Sequence, residues 1–189
     1  MSHPTPQVLA DTIDKDGWLT GARRVLSPNC DERPTVTPIS LIVVHAISLP
    51  PGQFGGRGIE QLFTNSLDPE EHPYYREIRA LRVSSHFLVR RDGEVIQFSA
   101  CSSRAWHAGV STWQGRERCN DFSIGIELEG CDEQDFEAEQ YDVLAKLIAI
   151  LRRSYPITDI VGHADIAPGR KTDPGPHFEW QRLRDLIAQ

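Results

Sequence analysis

The stretch Leu41-Ile42-Val43-Val44 restricts the fold more than any other part of this chain. Four consecutive apolar residues, three of them β-branched, read as a strand over 39–45 that is buried on both faces. Such a strand needs neighbours on either side and a layer above and below. It ends in His45, which a loop of Leu49, Pro50, Pro51 and Gly52 follows. A second apolar strand, Asp159 to Val161, stops at Gly162 and also delivers a histidine, His163. The loop after it is punctuated by Pro168, Gly169, Pro174, Gly175 and Pro176, residues that leave a backbone few alternatives. Lys171 and Asp173 lie two positions apart in that loop, so an extended backbone there points both to one side. Two imidazoles and one carboxylate, with a fourth position open to water, make a catalytic rather than a structural zinc set.

A third strand supplies acid–base chemistry. In Phe122 to Gly130, alternation puts Phe122, Ile124, Ile126 and Leu128 on one face and Ser123, Gly125, Glu127 and Glu129 on the other. Gly125 leaves room for another group to approach the backbone closely. A carboxylate on this face can act as a general base in metal-assisted hydrolysis, and both Glu127 and Glu129 qualify.

The remaining segments set the class. Val83–Arg90 and Glu94–Phe98, split by Asp92-Gly93, read as a hairpin, with His86 inside the first strand as a hydrogen-bonded core residue. Ile59–Phe63 reads as a short helix after a glycine-rich loop that forms a flexible rim, and Leu67–Tyr75 reads as irregular with His72 exposed. A longer helix opens with Asp135, Glu137 and Glu139 and closes with Arg152 and Arg153, in the order the helix dipole favours. Its apolar face is Tyr141, Leu144, Leu147, Ile148 and Leu151. A last helix from about Phe178 packs through Trp180, Leu183 and Ile187. Together these predict an α/β fold: a single domain with a mixed central β-sheet flanked by helices. Residues 1–16 read as a flexible N-terminal leader and 17–189 as the domain.

With 27 acidic against 20 basic residues, the formal net charge is -7, and no run of Lys or Arg occurs. That argues against nucleic acid or an anionic membrane as partner. No segment approaches the ~20 apolar residues of a membrane span. Met1 to Lys15 lacks the basic lead and apolar core of a secretory signal. Cys30, Cys101, Cys119 and Cys131 are widely spaced with no C-x-x-C, which fits four reduced thiols in the cytoplasm.

Four segments carry a further signal: Leu41–Gly56 (LIVVHAISLPPGQFGG), Trp106–Ser111 (WHAGVS), Arg116–Gly130 (RERCNDFSIGIELEG) and Gly162–Gly175 (GHADIAPGRKTDPG). They closely resemble the zinc N-acetylmuramoyl-L-alanine amidases, a family whose fold is shared with phage lysozyme-type amidases and peptidoglycan recognition proteins. The resemblance runs from about Gly17 to Trp180. It implies one Zn²⁺ per chain held by His45, His163 and Asp173, Glu127 as general base, and Lys171 stabilising the oxyanion. It further implies an anhydromuropeptide substrate cut between the lactoyl group and L-alanine, in peptidoglycan recycling, with no obligate protein partner. Arg82 and Arg118 match positions that contact the peptide, and Arg grips carboxylates bidentately. Trp106 reads either as a platform for the sugar ring or as a core aromatic. The family usually has Asn after the first ligand histidine, and here Ala46 stands there, which removes one hydrogen bond to substrate.

Two other classes compete. One is a cysteine amidase pairing Cys119 or Cys101 with His107. The other is a module that binds cell-wall fragments without cleaving them.

Overall fold

The computed structural model describes residues 12–189. Its strands in chain order are β1 (Arg23–Arg24), β2 (Cys30–Glu32), β3 (Leu41–Ile47), β4 (Phe87–Val89), β5 (Val95–Gln97), β6 (Ser103–Ala105), β7 (Thr112–Trp113), β8 (Arg116–Glu117), β9 (Ser123–Glu129) and β10 (Asp159–Gly162). The helices are α1 (Gly58–Phe63), α2 (Pro73–Ile78), α3 (Ala138–Ser154), α4 (His163–Ile166) and α5 (Trp180–Ile187). Six strands form the main sheet in the order β1-β5-β4-β9-β3-β10. β4, β9, β3 and β10 run parallel to one another, and only the β4/β5 pair is antiparallel. The expected mixed sheet with flanking helices is therefore what forms.

The apolar run does what its composition requires. Leu41 to Val44 are each at most 1% exposed, with β9 on one side and β10 on the other. Ile42 and Val44 face the layer of α3 and α5, together with Ile124, Ile126 and Leu128 of β9. Leu41 and Val43 face the other way, against Ala108, Cys119, Val161 and Ile166. His45 belongs by alternation to that second face. Tyr141, Leu144, Leu147, Ile148 and Leu151 of α3 are all buried in the first layer.

Several local expectations shift. Phe122 lies outside β9, after a 3₁₀ turn at Cys119–Asp121, and packs with Leu41 and Val43 rather than with Ile124. α3 begins at Ala138, because Glu137 is its N-cap and Gln140 closes the capping box; Asp135 stays outside and pairs with His177 at 2.6 Å. The end of the segment expected to be irregular is the first turn of α2, and His72 caps it by accepting the Tyr74 N–H at 3.1 Å. The glycine-rich rim is tied down where Gly55 N–H donates to Glu129 at 2.7 Å. Thr12 to Asp16, grouped with the leader by sequence, lead into a turn in which Ile13 bridges to Leu19 and packs against the core. The expected leader's first eleven residues lie outside the described part.

His86 is a core histidine. It is fully buried, accepts the Gly125 N–H at Nδ1 (3.0 Å), and donates from Nε2 to the Ser103 carbonyl (3.1 Å). Burial, helped by the Arg33 charge, pushes its pKa down to about 3. The unfolded chain therefore binds a proton near pH 6.5 that the folded chain refuses, so stability falls as pH drops below 6.5. From pH 6.5 to 4.5 this one group costs about 2–3 kcal/mol. Urea unfolding at both pH values should show the drop, and a smaller one in His86→Gln. An equal drop in the two proteins would contradict the assignment.

Candidate metal centre and active site

Strand register builds the site. His45 pairs with Glu127 across β3/β9, and both side chains lie on the same face. On the other side of β3, Gly162 pairs with Val44, so the next residue, His163, arrives level with His45 at the start of α4. The Gly162 N–H donates to Asp165 at 2.7 Å, which fixes the start of that turn. The Ala164 N–H donates to the Asp173 carbonyl at 2.9 Å, which draws the Pro/Gly loop back over the strand ends. All of this sits at the carboxyl ends of parallel strands, where open α/β sheets place their ligands.

Three ligand atoms meet there. His45 Nδ1 and His163 Nδ1 are 3.0 Å apart, and each lies 3.1 Å from Asp173 Oδ2. These three residues form a group able to hold a metal ion. A tetrahedral zinc with bonds of ~2.05 Å has ligand–ligand edges of about 3.3 Å, close to the observed triangle. Proton bookkeeping supports the same reading. His163 Nε2 lies 3.1 Å from the Ala108 carbonyl, which can only accept, so the ring proton is on Nε2. The His163 Nδ1 lone pair then faces a carboxylate oxygen with no proton between them. For a neutral ring that contact is repulsive unless a cation is shared, whether a metal ion or a further proton. Both histidines are buried, so their polar atoms need partners.

The electrostatics match. Burial, reinforced by the His163 and Lys171 charges, holds His45 down at about 4, against the pull of Asp173. Burial pushes the Asp173 carboxyl up, but contacts with His163 and His45 outweigh it and keep the group ionised well below the usual carboxylate range. Glu127, 7% exposed, goes the other way: burial, then the Asp173 charge, raise it well above 4.5, with Lys171 opposing. Lys171 itself is exposed and, among the described residues, carries no salt bridge.

The structure separates the two strand glutamates. Glu129, 2% exposed, is held by Arg90 at 3.0 Å and by the Gly55 N–H. Its carboxylate is committed to tying the loop to the sheet, while Glu127 has no such anchor among the described residues and lies level with His45.

The expected substrate contacts are less gathered. Arg82 is exposed and donates to the Arg79 and Leu81 carbonyls. Arg118, also exposed, has a left-handed backbone (φ 61) and pairs with Asp121 at 3.4 Å. Trp106 is half-buried and immediately precedes His107. No hydrogen bond or ion pair among the described residues joins these three to the triad. Ala46 packs against the α3-side core, so its side chain points away from the His45 face. The sequence reading missed His107 as a partner of the site, although its place in the Trp106–Ser111 segment was a signal: its Nδ1 lies 2.9 Å from His45 Nε2.

Cysteine chemistry finds no support. Burial pushes the Cys101 thiol up to about 12 and raises Cys119 as well, so neither offers a thiolate at neutral pH. The His107 ring nitrogens meet His45 and Ser123 instead.

Two imidazoles and a carboxylate able to hold a metal ion, beside a buried glutamate of raised pKa, are the kinds of side chain that metal-assisted hydrolysis uses. Comparison with known proteins identifies the family. Residues 35–176 match the N-acetylmuramoyl-L-alanine amidase family. The chain is 56% identical to the 1,6-anhydro-N-acetylmuramyl-L-alanine amidase AmpD of Escherichia coli, over 93% of this chain and 97% of that protein. A crystal structure of an AmpD selenomethionine derivative superposes with a TM-score of 0.89 at 56% identity, covering 92% of this chain and 98% of that one. The E. coli amidase AmiD, solved with the substrate anhydro-N-acetylmuramic acid-L-Ala-D-gamma-Glu-L-Lys, gives a TM-score of 0.58 at 31% identity, covering 92% and 65%. The chain belongs to the N-acetylmuramoyl-L-alanine amidase family and is an amidase.

Proposed function

We propose that this enzyme hydrolyses the amide between the lactoyl group of 1,6-anhydro-N-acetylmuramic acid and L-alanine, in peptidoglycan recycling. The observation that carries it is the triangle of His45, His163 and Asp173 beside Glu127, in a chain 56% identical to an anhydromuramyl amidase. Zn²⁺, one per chain, is the ion the N, N, O donor set favours. When bound, zinc supplies Lewis acidity and lowers the pKa of water toward ~7.

The chain's own groups do the rest. Glu127 takes the proton from the attacking water and returns it to the departing L-alanine nitrogen. Its raised pKa suits both halves of that task, since an ordinary carboxylate is too weak a base at neutral pH. Lys171, exposed and near enough for its charge to act on Glu127, stabilises the oxyanion of the tetrahedral intermediate. Lys171→Ala should lower kcat by ~10²–10³ with zinc content unchanged. A parent-like kcat would remove it from the mechanism. Arg82 and Arg118 meet the peptide carboxylates and Trp106 the sugar ring. The catalytic domain takes in the turn from Thr12 as well as the expected 17–189, acts in the cytoplasm, and needs no protein partner; among the described residues no helix is long and apolar enough to cross a membrane.

Mass spectrometry of products from an anhydromuropeptide tests the reading. Free L-Ala-led peptide and anhydro-N-acetylmuramic acid are expected, with loss of activity on chelation, recovery with Zn²⁺, and indifference to thiol alkylation. Inactivation by alkylation alone, or binding without cleavage, would overturn it.

A further inference from the structure

We propose that the dipeptide His107-Ala108, anchored by Ser123 and Asn120, is a positioning device that sets which nitrogen of each ligand histidine is free to bind the metal. One group in this chain of contacts has no choice. The Cys119 carbonyl only accepts, and Ser123 Oγ lies 2.6 Å from it, so the hydroxyl proton points there. Ser123 Oγ then presents only lone pairs to His107 Nε2 at 3.1 Å, and that nitrogen must carry a proton. His107 is 8% exposed and, among the described residues, no carboxylate lies within hydrogen-bond distance of its ring, so it is neutral and has one N–H. Its Nδ1 is therefore an acceptor. His45 Nε2, 2.9 Å away, donates to it, and the His45 Nδ1 lone pair is left facing His163 and Asp173.

The opposite sense is damaging. If Ser123 donated to His107, the proton would move to His107 Nδ1 and then to His45 Nδ1, where it would point into the metal triangle. The Cys119 carbonyl blocks this. The relay ends on an acceptor that exchanges no proton, so it orients rather than conducts.

The neighbouring residue performs the same service for the second ligand. The Ala108 carbonyl accepts from His163 Nε2 and leaves Nδ1 free. Asn120 Oδ1 accepts both the His107 and Ala108 N–H groups, at 3.1 and 2.8 Å, and holds the dipeptide in place. Arg170 adds a 2.7 Å bond to the Ala108 carbonyl. Gly125 makes the slot: a Cβ there would sit 2.5–2.8 Å from His107 ring atoms. The close approach that a glycine in this strand allows is used by the protein's own histidine. Glycine is needed because the ring packs against the backbone between Ser123 and Glu127.

This inference rests on the zinc reading above, and its test keeps the two apart. In zinc-loaded full-length protein, two-bond ¹H–¹⁵N imidazole spectra should show the Nε2–H tautomer for His107. The Nδ1–H tautomer would overturn the relay without any mutation. Zinc affinity, measured by chelator competition, should fall ~10–100-fold in His107→Leu. His107→Asn places an amide oxygen near the former Nδ1 and should restore affinity to within a few-fold of the parent. Leu and Asn variants that bind zinc equally well, or equally poorly, would overturn the proposal. A parent chain that binds no zinc would instead defeat the metal reading itself.

Discussion

Asp173→Ala is expected to yield folded protein that retains almost no zinc after gel filtration and has no measurable amidase activity. Asp173 supplies the only negative charge among the three ligands, and its oxygen closes the triangle at 3.1 Å from each imidazole. Replacing a group that merely orients a ligand typically costs 10–100-fold in metal affinity, and removing a ligand must exceed that. The fold should survive, because Asp173 sits in a surface loop, is only partly buried, and belongs to neither of the core clusters on the two faces of the sheet. Its loss also removes the negative charge that helps to raise Glu127. Metal analysis and thermal melting of the same sample decide the matter. A full zinc complement in the variant would remove Asp173 from the ligand set.

Glu127→Gln is expected to lower kcat by ~10²–10⁴ while zinc content and substrate binding stay near parental values. Glutamine keeps the shape of the side chain and loses the proton-accepting oxygen. A glutamate buried beside Asp173 gives up its proton only above the usual carboxylate range, so the base is ionised later as pH rises. The acid limb of kcat/KM that Glu127 governs in the parent should be lost in the variant, and a variant with parental kcat would exclude Glu127 as the base. Glu129→Gln provides the contrast: it should loosen the Gly55 loop while leaving the pH profile unchanged, since its carboxylate is held by Arg90.

Much of the site was legible because its parts are local. A β-branched run leading into histidine announces a buried parallel strand, although β3 continues past His45 to Ile47, and β10 ends at Gly162 with His163 opening α4. The two-residue spacing in the Pro/Gly loop brought Asp173 into consideration for the same reason. The period of α3 fixed its buried face. What was misjudged depends on distant partners. Phe122 follows the alternation of β9 in sequence, yet a 3₁₀ turn ends before it and turns its ring to the other layer. α2 is too short to show a period, and its cap is a histidine rather than a typical capping residue.

The sequence by itself determined the residue types, the burial of the central strands and the face on which Glu127 and Glu129 both lie, since period-two alternation and apolar composition need no knowledge of neighbours. Only the tertiary structure decided which glutamate is free, because Arg90 and Gly55 reach Glu129 from other parts of the chain. It likewise decided that the His86 ring meets a backbone amide in the core while the His107 ring meets the imidazole of His45. Hydrogen-bond direction is a property of partners brought together across the sheet, and no spacing along the chain encodes it.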